Sequence, residues 1–231
     1  MRLSPHREIP TGAARTSRLF FLAGAICSWT SSAQPDVAST LEKAARDTPE
    51  TAKVVFAITT VPLFMAADLK GDSQGSVMPS APVDVLGREG DLLKVKISGW
   101  QQEGVDRIAY YAPGKRIPSA LFRPDAIGKL KKGEVTTDVD TGKTWTRVEI
   151  EAYVPRDKFV HDLAPVWSYA AELVTTNCSS CHAVDMGHFT ANQWTGVIKS
   201  MQSRTSMSPE ELRLLTQYAQ KHGSDMAATK K

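Results

Sequence analysis

Two cysteines separated by two residues and followed at once by a histidine constrain this chain more than any other feature: Cys178-Ser179-Ser180-Cys181-His182. On a tight turn, a C-x-x-C-H sequence places two thiols where they can form thioethers with the vinyl groups of a haem. The histidine then lies under the iron as its proximal ligand. The sequence therefore predicts one covalent haem c, attached through Cys178 and Cys181, with His182 bound to the iron.

Two other chemistries use closely spaced cysteines. A thioredoxin-like C-x-x-C follows a strand in a βαβ unit, and the sequence around Cys178 shows no such unit. A zinc site needs four ligands, and the chain offers no second pair of close Cys or His residues. Haem attachment is the interpretation that uses all three residues of the motif.

Residues 1–33 have the three-part pattern of a secretory signal peptide. Four arginines and one glutamate precede an apolar run over residues 19–29, and Ser31-Ser32-Ala33 provides small residues for cleavage. The run is short for a membrane span, with an uncleaved N-terminal anchor as the alternative. Export agrees with haem attachment, so the predicted compartment is the bacterial periplasm. Cleavage leaves 24 basic and 24 acidic residues, a balance that does not favour a nucleic-acid partner.

The sequence of residues 34–160 predicts a small β domain with a hairpin extension. Residues 53–61 are rich in Val, Ile and Thr, and residues 92–98 alternate Lys with apolar side chains, as strands do. A lone hairpin is marginal in water, so the strands predicted on either side of Asp140 to Lys143 are expected to extend this β region. The Val-rich strand, the turn, the Lys-Val-Lys-Ile strand and the Gly99-Trp100 ending resemble bacterial SH3-like domains, which implies a small SH3-like β-barrel.

The sequence of residues 161–231 predicts a haem domain made of helices. The first helix is expected over residues 162–174, with Pro165 near its start. Thr190 with Gln193 and Ser208 with Glu211 form the capping boxes of two further helices. The last helix is expected to end near His222-Gly223.

This order of helix, haem motif, helix, loop and final helix resembles the small class I cytochromes c, which implies an all-α domain of that class. In that family the sixth iron ligand is a Met that lies several residues upstream of the final helix. This favours Met201 over Met207, which lies immediately beside the helix cap Ser208. His188, in the loop after the motif, is the alternative distal ligand, and Met186 or an open site are further ones. Trp194, Val197 and Leu215 are candidates to shield the haem from water.

A longer series of residues carries a second resemblance. The series comprises Trp167-Ser168-Tyr169, the C-x-x-C-H motif, His188-Phe189, Asn192-Gln193-Trp194, Gly196 and Met201. It resembles the C-terminal domain of pentahaem c-type cytochromes that serve periplasmic trimethylamine N-oxide and dimethyl sulfoxide reductases. The resemblance implies a molybdenum enzyme as the electron acceptor. It also matches Cys178, Cys181, His182 and Met201 to the haem positions of that family.

The sequence therefore predicts a periplasmic electron-transfer protein and not an enzyme. The tetrahaem, quinol-oxidising module of the family has no counterpart in the sequence, so an upstream quinol-oxidising membrane cytochrome is expected to supply electrons. No stable membrane insertion is expected. The alternative is a haem-based sensor or regulatory protein with an open distal site.

Overall fold

The computed structural model describes residues 37–226 apart from 180 and 182, so the predicted signal peptide lies outside the described residues. The helices of the described part are α1 (Val37–Arg46), α2 (Pro124–Ile127), α3 (Ala164–Asn177), α4 (Ala191–Met201) and α5 (Pro209–Lys221). Its strands are β1 (Val54–Ala57), β2 (Val61–Leu63), β3 (Gly75–Val77), β4 (Pro82–Glu89), β5 (Leu92–Gln102), β6 (Ile108–Ala112), β7 (Lys115–Phe122), β8 (Lys131–Thr137), β9 (Thr144–Pro155) and β10 (Phe159–Val160).

One curled antiparallel sheet contains all of these strands. Its main path runs β10-β1-β4-β5-β6-β7-β3-β2, and β9 pairs with the other edge of β5. This β5–β9 pairing is continuous from Leu92 opposite Pro155 to Gln102 opposite Trp145. A bridge between Phe64 and Tyr153 joins the chain just after β2 to β9. The sheet therefore closes on itself around its core.

The long strand β5 shows why these residues form a sheet. Its side chains alternate between buried and half-buried along the whole strand, so Leu93, Val95 and Ile97 face the core while the lysines between them face outward. Gly99 continues the inward row, where a Cβ atom would lie 2.8 Å from the Cβ of Ala109. A glycine is therefore required where β5 bends against β6.

The predicted fold class, a small SH3-like β-barrel followed by an all-α class I cytochrome c domain, is wrong. The molecule is mostly β, built on one curled sheet with few helices. The helices do not close a core of their own, because Val166 and Ala170 of α3 and Leu214 of α5 pack in one cluster with Ile58, Val160 and α1. The hairpin of β8 and β9 extends the β region, as expected, through the pairing of β9 along the full length of β5.

Local signals predicted the helix ends well. Pro165 lies in the first turn of α3, and both capping boxes are present, Thr190 with Gln193 and Ser208 with Glu211. Helix α5 ends at Lys221 with His222 as its C-cap. Helix α1 and strand β7 were not predicted from the sequence, and β7 contains Pro118.

Side-chain amides fasten α4 and α5 to strand β7. Gln217 donates from Nε2 to the carbonyl of Pro118 at 2.7 Å, and Gln220 donates to the carbonyls of Arg116 and Ala191 at 3.1 Å each. Asn192 donates to the carbonyl of Gly114 and accepts from the backbone N–H of Arg116. Because both glutamines are fully buried, these bonds are shielded from water and hold the helices in one position on the sheet.

Asp225, which follows the end of α5, connects this part of the chain to the start of α4 and to strand β7. It accepts the backbone N–H of Ala191 at 2.7 Å and forms an ion pair with Lys115 at 2.5 Å. Burial opposes ionisation of this carboxyl, but the bonds from Lys115 and Ala191 outweigh burial and hold the pKa of Asp225 below its ordinary value. The unfolded chain therefore binds this proton at a higher pH than the folded chain does. The stabilisation is full above the unfolded pKa, about 3.9, and is lost as pH falls through the folded pKa.

We expect Asp225→Asn to lower the free energy of unfolding at pH 7 by about 1–2 kcal/mol, since it removes a partly buried ion pair but keeps an acceptor for Ala191. The difference from the wild type should shrink near pH 3. Urea unfolding at both pH values measures it. Asp68→Asn is the matched control, because the Asp68–Lys70 pair is exposed and such pairs contribute little. An equal loss in both variants, or a difference independent of pH, would contradict the assignment.

Candidate haem site

The turn that carries the two cysteines begins at the end of helix α3. The backbone N–H of Cys178 donates to the carbonyl of Val174, and that of Cys181 donates to the carbonyl of Cys178 at 3.2 Å. Cys178 is half-buried and Cys181 is exposed, and no disulfide joins them. The predicted proximal ligand His182 lies outside the described residues. The two thiols therefore differ in burial, and that of Cys178 is the more buried.

Cys178 differs from an exposed thiol in its electrostatics. Burial, and secondarily the neighbouring Cys181, raise the pKa of the Cys178 thiol above its ordinary value. The thiol therefore stays protonated at neutral pH.

An apolar cleft opens beside Cys178. The residues that line it come from α3, α4, α5 and the loops between them: Val174, Cys178, Val184, Met186, Trp194, Val197, Ile198, Met201, Thr205, Met207, Leu212 and Leu215. All three side chains proposed from the sequence to shield a haem, Trp194, Val197 and Leu215, are in this set. Trp194 is buried, and its indole N–H donates to the carbonyl of Met186 at 3.0 Å. This bond fixes the ring as part of the cleft wall.

Three methionines face the cleft. Met201 is the last residue of α4, and Met186 and Met207 lie in the loops before and after that helix. Each brings a thioether side chain to the apolar space that Cys178 borders. The structure therefore places the predicted distal ligand Met201 beside the cysteine turn, together with two residues of the same chemistry.

His188, the alternative distal ligand, lies elsewhere. It ends a short 3-10 helix over Met186–His188 and is exposed. Its ring packs edge-on against Phe189, with the two ring centroids 4.6 Å apart. Among the described residues, His188 is not one of those that line the cleft. The loop thus directs Met186 toward the cleft and leaves His188 at the surface.

The described residues suit a haem c in their chemistry. A thiol stands at the edge of the cleft, thioether groups face it, and its walls are almost entirely apolar. The free volume of the cleft is about 50 Å³. When bound, a haem supplies one-electron redox chemistry at its iron. The chain's own residues would hold it through sulfur, offer a sulfur ligand and exclude water.

Sequence reasoning missed several parts of this site. Val184 and Thr205 lie in loops with no helical periodicity, so no pattern marked them as cleft residues. Leu212 lies in α5, and no pattern in the sequence indicates which neighbouring element it contacts. A heptad-like apolar stripe identifies the buried face of a helix and not its partner.

Comparison with known proteins finds matches to c-type cytochromes. A family model described as the third cytochrome c domain of TorC matches residues 49–159. This segment contains no cysteine, so the match covers the sheet and ends before the Cys178 turn. No solved structure matches the chain.

Several curated relatives are c-type cytochromes. Cytochrome c-type protein TorC of Escherichia coli K12 is 36% identical over 191 residues, which are 81% of this chain and 47% of that protein. Cytochrome c-type protein TorY of Haemophilus influenzae is 36% identical over 172 residues, 74% of this chain and 46% of that protein. TorY of Escherichia coli O157:H7 is 32% identical over 153 residues, 65% and 41%. The chain spans about half the length of the curated relatives it matches.

The cysteine turn and these matches indicate similarity to one class of protein, the c-type cytochromes. Within that class, the proteins that the chain resembles are TorC and TorY. In the part of the chain that the structure describes, none of the helices is both long and apolar enough to cross a membrane.

Proposed function

We propose that this protein is a periplasmic electron carrier with one covalent haem, which passes electrons to a molybdoenzyme that reduces S- or N-oxides. One observation carries the proposal: the cysteine turn borders an apolar cleft faced by three methionines. The similarity to TorC and TorY supports the partner class. Residues 1–33 would direct export, and an upstream quinol-oxidising membrane cytochrome would supply the electrons.

Each predicted site residue has a role in this proposal. Cys178 and Cys181 hold the haem through thioethers, and His182 is its proximal ligand. Met201 is the distal ligand, and a thioether in that position raises the reduction potential relative to a second histidine. Trp194, Val197 and Leu215 keep water from the site, which favours the less charged, reduced state of the iron.

The first test is to record oxidised and reduced absorption spectra of the exported, haem-matured protein, and to measure its potential in the same cell. We expect a low-spin spectrum with a Met-to-iron charge-transfer band, a positive potential and no binding of carbon monoxide. A high-spin spectrum with carbon monoxide binding would replace the carrier by a haem-based sensor. A low-spin spectrum with a strongly negative potential would make His188 the distal ligand.

The partner is tested separately. The reduced protein should be reoxidised when a trimethylamine N-oxide or dimethyl sulfoxide reductase and its oxide are both added, and stay reduced when either is omitted. A carrier spectrum without this reoxidation would keep the electron-transfer class but remove the molybdoenzyme as the acceptor.

A further inference from the structure

A second, larger depression lies on the other side of the cleft wall. It is an open groove of about 520 Å³ between strand β7 and helices α4 and α5. Apolar side chains contribute much of its lining, among them Met78, Pro118, Ile198 and Leu212. A concave groove of this volume is within the size range of ligand-binding sites in proteins.

The groove and the haem cleft share a wall. Ile198 of α4 and Leu212 of α5 line both depressions. A molecule seated in the groove is therefore separated from the cleft by the thickness of these two side chains.

The charged side chains around the groove have one sign. Arg116, Lys199 and Arg213 are exposed and line it, and none of the described residues that line it is acidic. Arg213 is paired with Glu210 just outside the lining. The Arg116 guanidinium donates to the neutral amide of Gln102 at 3.2 Å, and no salt bridge to it is found among the described residues. Arg116 of β7 and Lys199 of α4 thus leave positive charge on the rim, which selects a partner with acidic side chains.

The base of the groove is rigid and offers acceptors. Gln217 and Gln220 line it, and their amide N–H groups are used to hold β7 and α4 in place. Their Oε1 atoms are buried and have no hydrogen-bond donor among the described residues. An unpaired buried acceptor is unfavourable.

We infer that this groove docks the electron-transfer partner, through a surface segment of that protein that combines acidic side chains with an apolar tip. The inference rests on the proposed function and adds the place and chemistry of docking. The apolar tip lies against Ile198 and Leu212, and the acidic side chains pair with Arg116 and Lys199. With a haem held at the Cys178 turn, the iron would lose one electron and the partner's redox centre would gain it. The wall formed by Ile198 and Leu212 would then separate the two centres over a short distance.

The test compares charge reversals in the haem-matured protein. Arg116→Glu combined with Lys199→Glu reverses the rim, and Lys53→Glu, an exposed position at the start of β1 outside the groove, is the matched control. Each reduced protein is mixed in a stopped-flow instrument with the anionic small-molecule oxidant hexacyanoferrate(III), and separately with the S- or N-oxide reductase. Thermal unfolding and the reduction potential confirm that fold and driving force are unchanged.

We expect the double variant to be oxidised about tenfold more slowly than the wild type by both oxidants at low ionic strength, because steering by charge is lost. The difference should disappear at high salt, and Lys53→Glu should react like the wild type. Equal rates of the double variant and Lys53→Glu with hexacyanoferrate(III) would overturn the groove as the site of electron exit, whatever the reductase does. A slowed reaction with hexacyanoferrate(III), combined with no reaction between the wild type and the reductase, would support the groove and reject the proposed molybdoenzyme.

Discussion

Gly223→Ala is expected to destabilise the protein by about 2–3 kcal/mol, because the added methyl group has no room. Gly223 follows the end of α5 and lies against the start of α4. A Cβ atom there would be 2.8 Å from the backbone nitrogen of Ala191 and 3.1 Å from the carbonyl oxygen of Phe189. Both neighbours are backbone atoms at the start of a helix, so neither can turn aside as a flexible side chain would.

The same substitution at Gly196 is the matched control. Gly196 lies inside α4, it is exposed, and a Cβ atom there would meet nothing within 4 Å. We expect Gly196→Ala to raise the free energy of unfolding by about 0.5–1 kcal/mol, since alanine favours a helix interior over glycine. Urea unfolding of both variants measures the contrast. Similar effects of the two substitutions would mean that the end of α5 does not press on the start of α4.

Met201→Ala is expected to remove the Met-to-iron charge-transfer band completely and to lower the reduction potential. The reduction in potential should be on the order of 0.1 V or more, because axial ligands set haem potentials over a range of about 0.8 V. Absorption spectra and a potentiometric titration of the haem-matured variant measure both quantities. Covalent attachment through Cys178 and Cys181 should be unaffected, so the haem content serves as an internal check.

The other cleft methionines provide the controls for Met201. Met186 and Met207 line the same cleft, so Met186→Ala and Met207→Ala test whether any nearby thioether would give the same result. We expect both to keep the band. A band that persists in Met201→Ala and is lost in Met207→Ala would transfer the ligand role to Met207. Loss only in the double variant of Met201 and Met207 would show that the two can replace each other.

The candidate site was predictable from the sequence to the extent that its signals are local. The C-x-x-C-H motif identifies the chemistry within five consecutive residues, and capping boxes locate the starts of α4 and α5 within four residues each. Trp194, Val197 and Leu215, the three residues expected from the sequence to shield a haem, line the cleft. The ligand roles of His182 and Met201 stay predictions that spectroscopy must test.

Gly223 shows where a correct local prediction had an incomplete reason. The sequence pattern predicted a helix end at His222-Gly223, with glycine as the usual stop. The helix does end there, but His222 is the C-cap, and Gly223 is required by its close approach to Ala191 and Phe189. These neighbours are more than thirty positions earlier in the sequence, so no local pattern contains them.

By itself, the sequence determined most of the strands and the start of each helix that follows the sheet, because capping and alternation act within a few residues. Motif spacing also gave the prediction of haem attachment, which spectroscopy must test. Only the tertiary structure decided that the strands form one closed sheet and that the helices pack on it. Those features depend on pairings such as β5 with β9, and on the bonds of Gln217 and Gln220 to carbonyls 99 and 104 residues earlier in the chain. Periodicity shows that a face is buried, but the partner of that face is set by contacts between residues far apart in the sequence.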